Sequence, residues 1–309
     1  MIYRNYATQR DLDAAYDVES SVPDFSAYAR LYTEESEAAR RDLKHHADVP
    51  YGPTRAEYAD IFPAARPNAP VLIFIHGGYW RMLSAKEFSF VARGFAPYGV
   101  TVVVANYELC PAVSVSEISR QMRSLVAWTA RNIEAYNGDP EEIAVCGHSA
   151  GGHLTAMCAL TDWEAEYDLA GDTVRYAIPI SGLFDLEPIS LTSMQSDIRI
   201  TGRDIEQASP QRLLRPAPSR MLVTLGTEEP AEFARHSEEF LDGWRANGND
   251  ARFMFQPGRN HFTAITDLMT PEAPLSAAIY DLIGRVPRAA SPSRIDRRLF
   301  AGRDVAWRT

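Results

Sequence analysis

The sequence predicts an α/β protein with a mostly parallel central sheet and helices on both of its faces. Two observations carry this. The runs Val71-Leu72-Ile73-Phe74-Ile75 and Val100-Thr101-Val102-Val103-Val104-Ala105-Asn106 have the apolar, β-branched make-up of strands buried on both faces. Segments of helical spacing alternate with such runs almost to the end of the chain, the order that produces a parallel sheet. With 309 residues, 46% of them hydrophobic, the chain can bury one sizeable core. Neither an internal repeat nor a low-complexity linker divides it, so one main domain is expected.

Residues 1–50 are polar and tyrosine-rich and read as an N-terminal cap segment, with a helix over 26–43 and loop before it. The alternating stretch 57–63 is expected as an early strand and 65–70 as a Pro/Asn loop. The strand 71–75 follows, then helical spacing over 84–98 and the strand 100–106. A helix is predicted over 115–136, a strand over 143–147 and a helix over 149–161. Further strands are expected at 174–180, 220–225 and 251–256, with helices near 231–247 and 274–284. These place the main domain at 51–285 and leave 286–309 as a basic C-terminal tail. From Arg285 onward the chain holds seven Arg and two Asp, about +5 by that count. A solvated tail is the plain expectation, and an arm docking Leu299, Phe300 and Trp307 on a neighbouring subunit is the other.

The net charge of −10 and the pI near 5.2 argue against a nucleic-acid-binding surface. Three cysteines, Cys110, Cys146 and Cys158, lack metal-type spacing, and two lie in core-like segments, so reduced thiols and a cytoplasmic setting are expected. The start of the chain, Met1-Ile2-Tyr3-Arg4-Asn5-Tyr6, has no apolar h-region, and no apolar run approaches membrane-spanning length.

The chemistry is expected around Ile143-Ala144-Val145-Cys146-Gly147-His148-Ser149-Ala150-Gly151-Gly152. Gly147-x-Ser149-x-Gly151 between a strand and a helix is the pattern of a nucleophile elbow, in which glycines on either side relieve a sharp turn at the serine. A serine hydroxyl needs a base, and the base needs a carboxylate to orient it. Of seven histidines, His45 and His46 lie in a polar segment, and His236 is expected to face out of a surface helix. His148 and His153 are too close to the elbow to swing back, and His76 belongs to a glycine loop. His261 remains, just past the last strand. The acid is expected at Glu229, three places after the glycine that ends strand 220–225. Glu228 is its near rival, and Asp185 is a further candidate better suited to bracing its loop. His76-Gly77-Gly78-Tyr79-Trp80 leaves strand 71–75 and suits an oxyanion hole, with donors from Gly78, Tyr79 and Ala150. Tyr79 and Trp80 are candidates to wall an aromatic group, and Tyr16, Tyr28 and Tyr32 to cap the site. Arg81 and Arg259 are the candidate cations to grip a substrate carboxylate.

In His76-Gly77-Gly78-Tyr79-Trp80 and Gly147-His148-Ser149-Ala150-Gly151-Gly152 the chain resembles the α/β-hydrolases of the arylformamidase (kynurenine formamidase) and carboxylesterase branch. Leu12-Asp13-Ala14-Ala15-Tyr16, Val22-Pro23-Asp24 and Tyr51-Gly52-Pro53 add to the likeness, which spans about residues 10–285. A Glu in place of the usual Asp acid and the basic C-terminal stretch depart from the pattern. The resemblance implies hydrolysis of an aryl N-formyl amide by Ser149, His261 and Glu229 through an acyl-enzyme. It calls for no metal or organic cofactor. A small-molecule amide or ester is the implied partner, and family habit implies a homodimer. The rival readings are a carboxylesterase for small esters and, because a fold does not fix a function, a non-catalytic ligand-binding module.

Overall fold

Alternate side chains of one strand, Ala69–Ile75, enter two different cores. Val71, Ile73 and Ile75 pack into one, and Leu72 and Phe74 into the other. Neither face of this strand meets water, which is why its sequence shows no polar alternation. Each such fully buried apolar side chain favours the folded state by roughly 1.5–3 kcal/mol before entropy is counted. The structure is a computed structural model that describes residues 1–287. The tail or arm expected over 286–309 lies almost wholly outside the described residues.

The strands are β1 (His46–Pro50), β2 (Tyr58–Phe62), β3 (Ala69–Ile75), β4 (Thr101–Ala105), β5 (Gly138–His148), β6 (Tyr176–Ile180), β7 (Arg220–Gly226) and β8 (Ala251–Gln256). They form one sheet in the order β1-β2-β4-β3-β5-β6-β7-β8. β2 runs antiparallel to β1 and to β4, and the remaining neighbours are parallel. Ile75 pairs with Gly147, and His148 with Ile180, so β3, β5 and β6 end at one level. The carboxyl edge of a parallel sheet is where such folds gather their reactive groups.

Four helices matter to the site described below or to the core beneath it: α1 (Gln9–Tyr16), α2 (Phe25–Asp42), α3 (Val115–Asn132) and α4 (Ala150–Ala159). Ile118, Met122 and Leu125 of α3 and Leu154 of α4 join the first core. Phe88, Phe90 and Phe95, with Leu275 and Ile279 of the helix Pro274–Leu282, join the second. The helix Ala231–Ala246 covers β6 and β7 through Phe240 and Trp244. Asp24 and Ser114 cap α2 and α3, each accepting from a backbone N–H in the first turn.

The structure departs from the sequence reading in places with identifiable causes. Residues 84–98 form three 3-10 segments rather than one α-helix. Pro97 removes a donor there, and the segment passes so close to its neighbour that a Cβ on Gly94 would lie 2.3 Å from the Leu268 carbonyl oxygen. The polar segment before residue 50 contains α1 and the edge strand β1, whose burial is too slight to leave an alternating pattern. His236 is the clearest correction. It is 2% exposed, not solvent-facing. Its Nδ1 accepts from the backbone N–H groups of Phe184 and Asp185, and its Nε2 lies 3.0 Å from the Tyr16 hydroxyl.

Burial pushes four histidines down from their ordinary value of 6.5: His76 and His153 to about 4, His236 to about 3, and His148 well below. All four are neutral in the folded protein and gain their ordinary basicity on unfolding. Below pH 6.5 the unfolded chain therefore binds more protons, so stability is lost as pH falls from about 6.5 toward 4 and gains no slope from these groups above that window. Urea unfolding at pH 6.5 and pH 5.0 should show a lower midpoint at pH 5.0, and His153→Gln or His236→Gln should flatten the difference by about one proton's worth. Equal midpoints at the two pH values would contradict the buried-histidine account.

Candidate active site

β5 ends at His148 and α4 begins at Ala150, which leaves Ser149 alone in the turn with φ 57° and ψ −118°. Its N–H donates to the Ile180 carbonyl at the end of β6, 2.9 Å away. A Cβ on Gly147 would lie 2.2 Å from the Gly151 carbonyl oxygen, and one on Gly151 would lie 2.0 Å from that of Ile75. Both glycines are therefore required by close backbone approach, as the motif predicts. Ser149 borders a cavity of about 190 Å³ together with His261, Gly77, Gly78, Tyr79 and His148.

His261 follows β8 by way of a turn in which the Asn260 side chain accepts from the N–H groups of Phe262 and Thr263. Its Nδ1 lies 2.7 Å from Glu229 Oε2. The other carboxylate oxygen, Oε1, accepts from the Ser181 hydroxyl at 2.6 Å and the Gly226 N–H at 2.7 Å. A carboxylate so held accepts the Nδ1 proton and leaves Nε2 of His261 free to act as a base. Glu229 and not Glu228 meets His261; Glu228 is exposed, and its backbone N–H donates to Arg259. Asp185 stands away from this group, bonded to Tyr3 and to the Glu187 N–H and 3.6 Å from Arg212. His148 and Phe233 flank the His261 ring with centroids 4.5 and 4.6 Å away. Burial, and then the nearby His261 charge, hold His148 neutral.

Gly78 has φ 101°, and a Cβ there would lie 2.4 Å from the Met82 carbonyl oxygen. Tyr79 and Trp80 follow with φ 48° and 55°, so the loop carries three successive residues in the left-handed region. The N–H groups of Gly78, Tyr79 and Ala150 donate to no acceptor among the described residues. The Tyr79 hydroxyl donates to the Tyr16 carbonyl at 2.7 Å, tying the loop to α1. Trp80, expected as a substrate wall, is fully buried and is not among the cavity residues. Its indole N–H needs an acceptor away from water and finds His153 Nδ1 at 3.3 Å.

The remaining apolar walls include Val18, Phe25, Tyr32, Met82, Phe88 and Phe262. Of the three tyrosines expected to cap the site, Tyr32 borders the cavity, while Tyr28 stacks on Phe262 and Tyr16 serves the Tyr79 loop. Arg81 pairs with Asp197, and Arg259 with Asp267. The sequence reading did not anticipate Ser181, which anchors Glu229, or Phe25 and Phe88. A hydroxyl just past a predicted strand end was the available signal for Ser181. Among the described residues, no helix is long and apolar enough to cross a membrane.

The BD-FAE family model matches residues 60–233. Kynurenine formamidase of Danio rerio is 30% identical over 257 residues, covering 81% of this chain and 86% of that one. Esterase LipQ of Mycobacterium tuberculosis is 31% identical over 180 residues, 50% of this chain and 42% of that one. A solved structure from Silicibacter sp. tm1040 superposes with a TM-score of 0.77 at 29% identity, over 87% of this chain and 98% of its own. A family match across more than half the chain, a formamidase relative along most of it and the sheet order above make this chain a member of the BD-FAE family, an α/β-hydrolase of the arylformamidase and carboxylesterase branch.

Proposed function

We propose that the protein cleaves an aryl N-formyl amide, with Ser149 as nucleophile, His261 as general base and acid, and Glu229 as the orienting carboxylate. The observation that carries this reading is the His261 Nδ1–Glu229 Oε2 contact of 2.7 Å beside the cavity that Ser149 borders. The formamidase relative supports the choice of bond. His261 Nε2 takes the Ser149 proton as Oγ bonds to the formyl carbon. The carbonyl oxygen becomes an oxyanion and receives hydrogen bonds from the N–H groups of Gly78, Tyr79 and Ala150. As the C–N bond breaks, His261 passes its proton to the leaving arylamine. Water, deprotonated by the same ring, then attacks the formyl-serine; formate leaves, and Ser149 regains its proton. Residues 51–285 form the catalytic domain in this reading, residues 1–50 its cap.

The esterase relative and the apolar cavity favour a second reading, a carboxylesterase for small acyl or aromatic esters. The three buried, unpaired thiols suit a cytoplasmic setting. The homodimer remains a proposal from family habit.

Formanilide and p-nitrophenyl acetate should both be assayed against purified protein, with Ser149→Ala as the blank. The expected result is deformylation that Ser149→Ala abolishes, with kcat/KM at least equal to that for the ester. Ester cleavage alone would replace the first reading with the second. Loss of fluorophosphonate labelling in the wild type would overturn both.

Glu229→Gln tests the carboxylate. Its amide oxygen would face the two donors at Ser181 and Gly226, turning the NH₂ toward His261 and favouring the tautomer with the proton on Nε2. A fall in kcat on the order of 10³-fold, with KM little changed, is expected. Activity within a few-fold of wild type would remove Glu229 from the proposed triad.

A further inference from the structure

We infer that the cavity beside Ser149 selects substrates by sign of charge, accepting aryl compounds that are neutral or cationic and disfavouring those whose ring bears a carboxylate. The inference rests on the hydrolase reading above and deepens it. The cavity measures about 190 Å³.

Charge comes from what borders that volume. Among the described residues, the only formally charged side chains lining it, apart from His261 when protonated, are the carboxylates Glu19 and Glu87, and neither Lys nor Arg does. Glu19 is exposed and makes no side-chain hydrogen bond or ion pair among the described residues. Glu87 accepts from the N–H and hydroxyl of Ser84, two neutral donors that leave its charge in place. The cations nearby are engaged elsewhere: Arg81 with Asp197, and Lys86 with Asp48 and Asp60. A substrate carboxylate there would thus gain no counter-charge and would lie in a cavity bordered by two like charges. An ammonium at the same place would find Glu19 unpaired.

The test uses two matched series on the full chain. One is formanilide with its 3-carboxy and 3-trimethylammonio derivatives, and the other is phenyl acetate with the same two substituents. The carboxylate member should fall at least about tenfold below the neutral one in kcat/KM, and the ammonium member should equal or exceed it. The Glu19→Gln, Glu87→Gln double variant should close the carboxylate-to-neutral gap several-fold; Gln at position 87 can still bond back to Ser84. Raising NaCl to 0.5 M should also narrow the gap. Cleavage of the esters alone would end the formamidase reading while the ester ratio still supports charge selection. A carboxylate member cleaved as well as the neutral one, or a ratio unmoved in the double variant, would overturn charge selection and leave the hydrolase reading standing. Failure to cleave any member would overturn both.

Discussion

Ser149 is held in a backbone conformation that residues with a side chain avoid, and holding such a residue costs about 1–3 kcal/mol that the surroundings must offset. Three neighbours do so together. The end of β6 accepts the Ser149 N–H, the end of β3 presses its Ile75 carbonyl against Gly151, and α4 takes up the Ser149 carbonyl through His153. The first two of these contacts do not survive a slip in the β3-β5-β6 register, because a one-residue shift moves the Ile180 and Ile75 carbonyls out of place. The unbroken apolar strands fix that register by burying both faces of the sheet. The long-range packing of the core and the local strain at one residue are thus a single arrangement.

Beside that turn the Glu229 carboxylate is fully engaged in a way that leaves the Nε2 of His261 uncommitted. Glu229 spends one oxygen on Ser181 and Gly226 and the other on His261. His148, kept neutral, adds no positive charge against His261. Phe233 excludes water from one ring face. In such a dry setting a fixed dipole or hydrogen bond is worth more than in solution. The N–H groups of Gly78, Tyr79 and Ala150, which donate to no acceptor among the described residues, are left available to a ligand that supplies one.

Much of this was legible in the residues. The strands 71–75, 100–106 and 251–256 announce themselves because burial on two faces demands apolar runs. The elbow does so because only glycine fits beside its serine. His261 and Glu229 follow from strand order, which places their loops on one edge of the sheet. The cavity walls were not legible. Phe25, Phe88 and Phe262 look like any other core aromatic, and which of them border the cavity depends on how α2 crosses the sheet edge. Trp80 was misread for the same reason: adjacency to a glycine loop says nothing of which way a residue with positive φ turns its ring. His236 was misread because its burial depends on Tyr16, more than two hundred residues away in sequence.

The division of labour between chain segments has an evolutionary consequence. The proposed reacting groups sit on loops after β3, β5, β7 and β8, whereas one whole wall of the cavity, Val18, Glu19, Phe25, Ala29, Tyr32 and Thr33, comes from residues ahead of the first strand. That segment meets the loops of the proposed reacting groups at a few points: the Tyr16 carbonyl accepts from the Tyr79 hydroxyl, the Tyr28 hydroxyl accepts from the Asn260 side chain, and the Tyr32 hydroxyl donates to the Phe262 carbonyl. Drift of the wall's other side chains, with those contacts kept, would therefore change what the protein takes in while leaving in place the groups proposed to act on it. Ligand preference in such a lineage would be inherited from one end of the gene and bond-breaking from the rest.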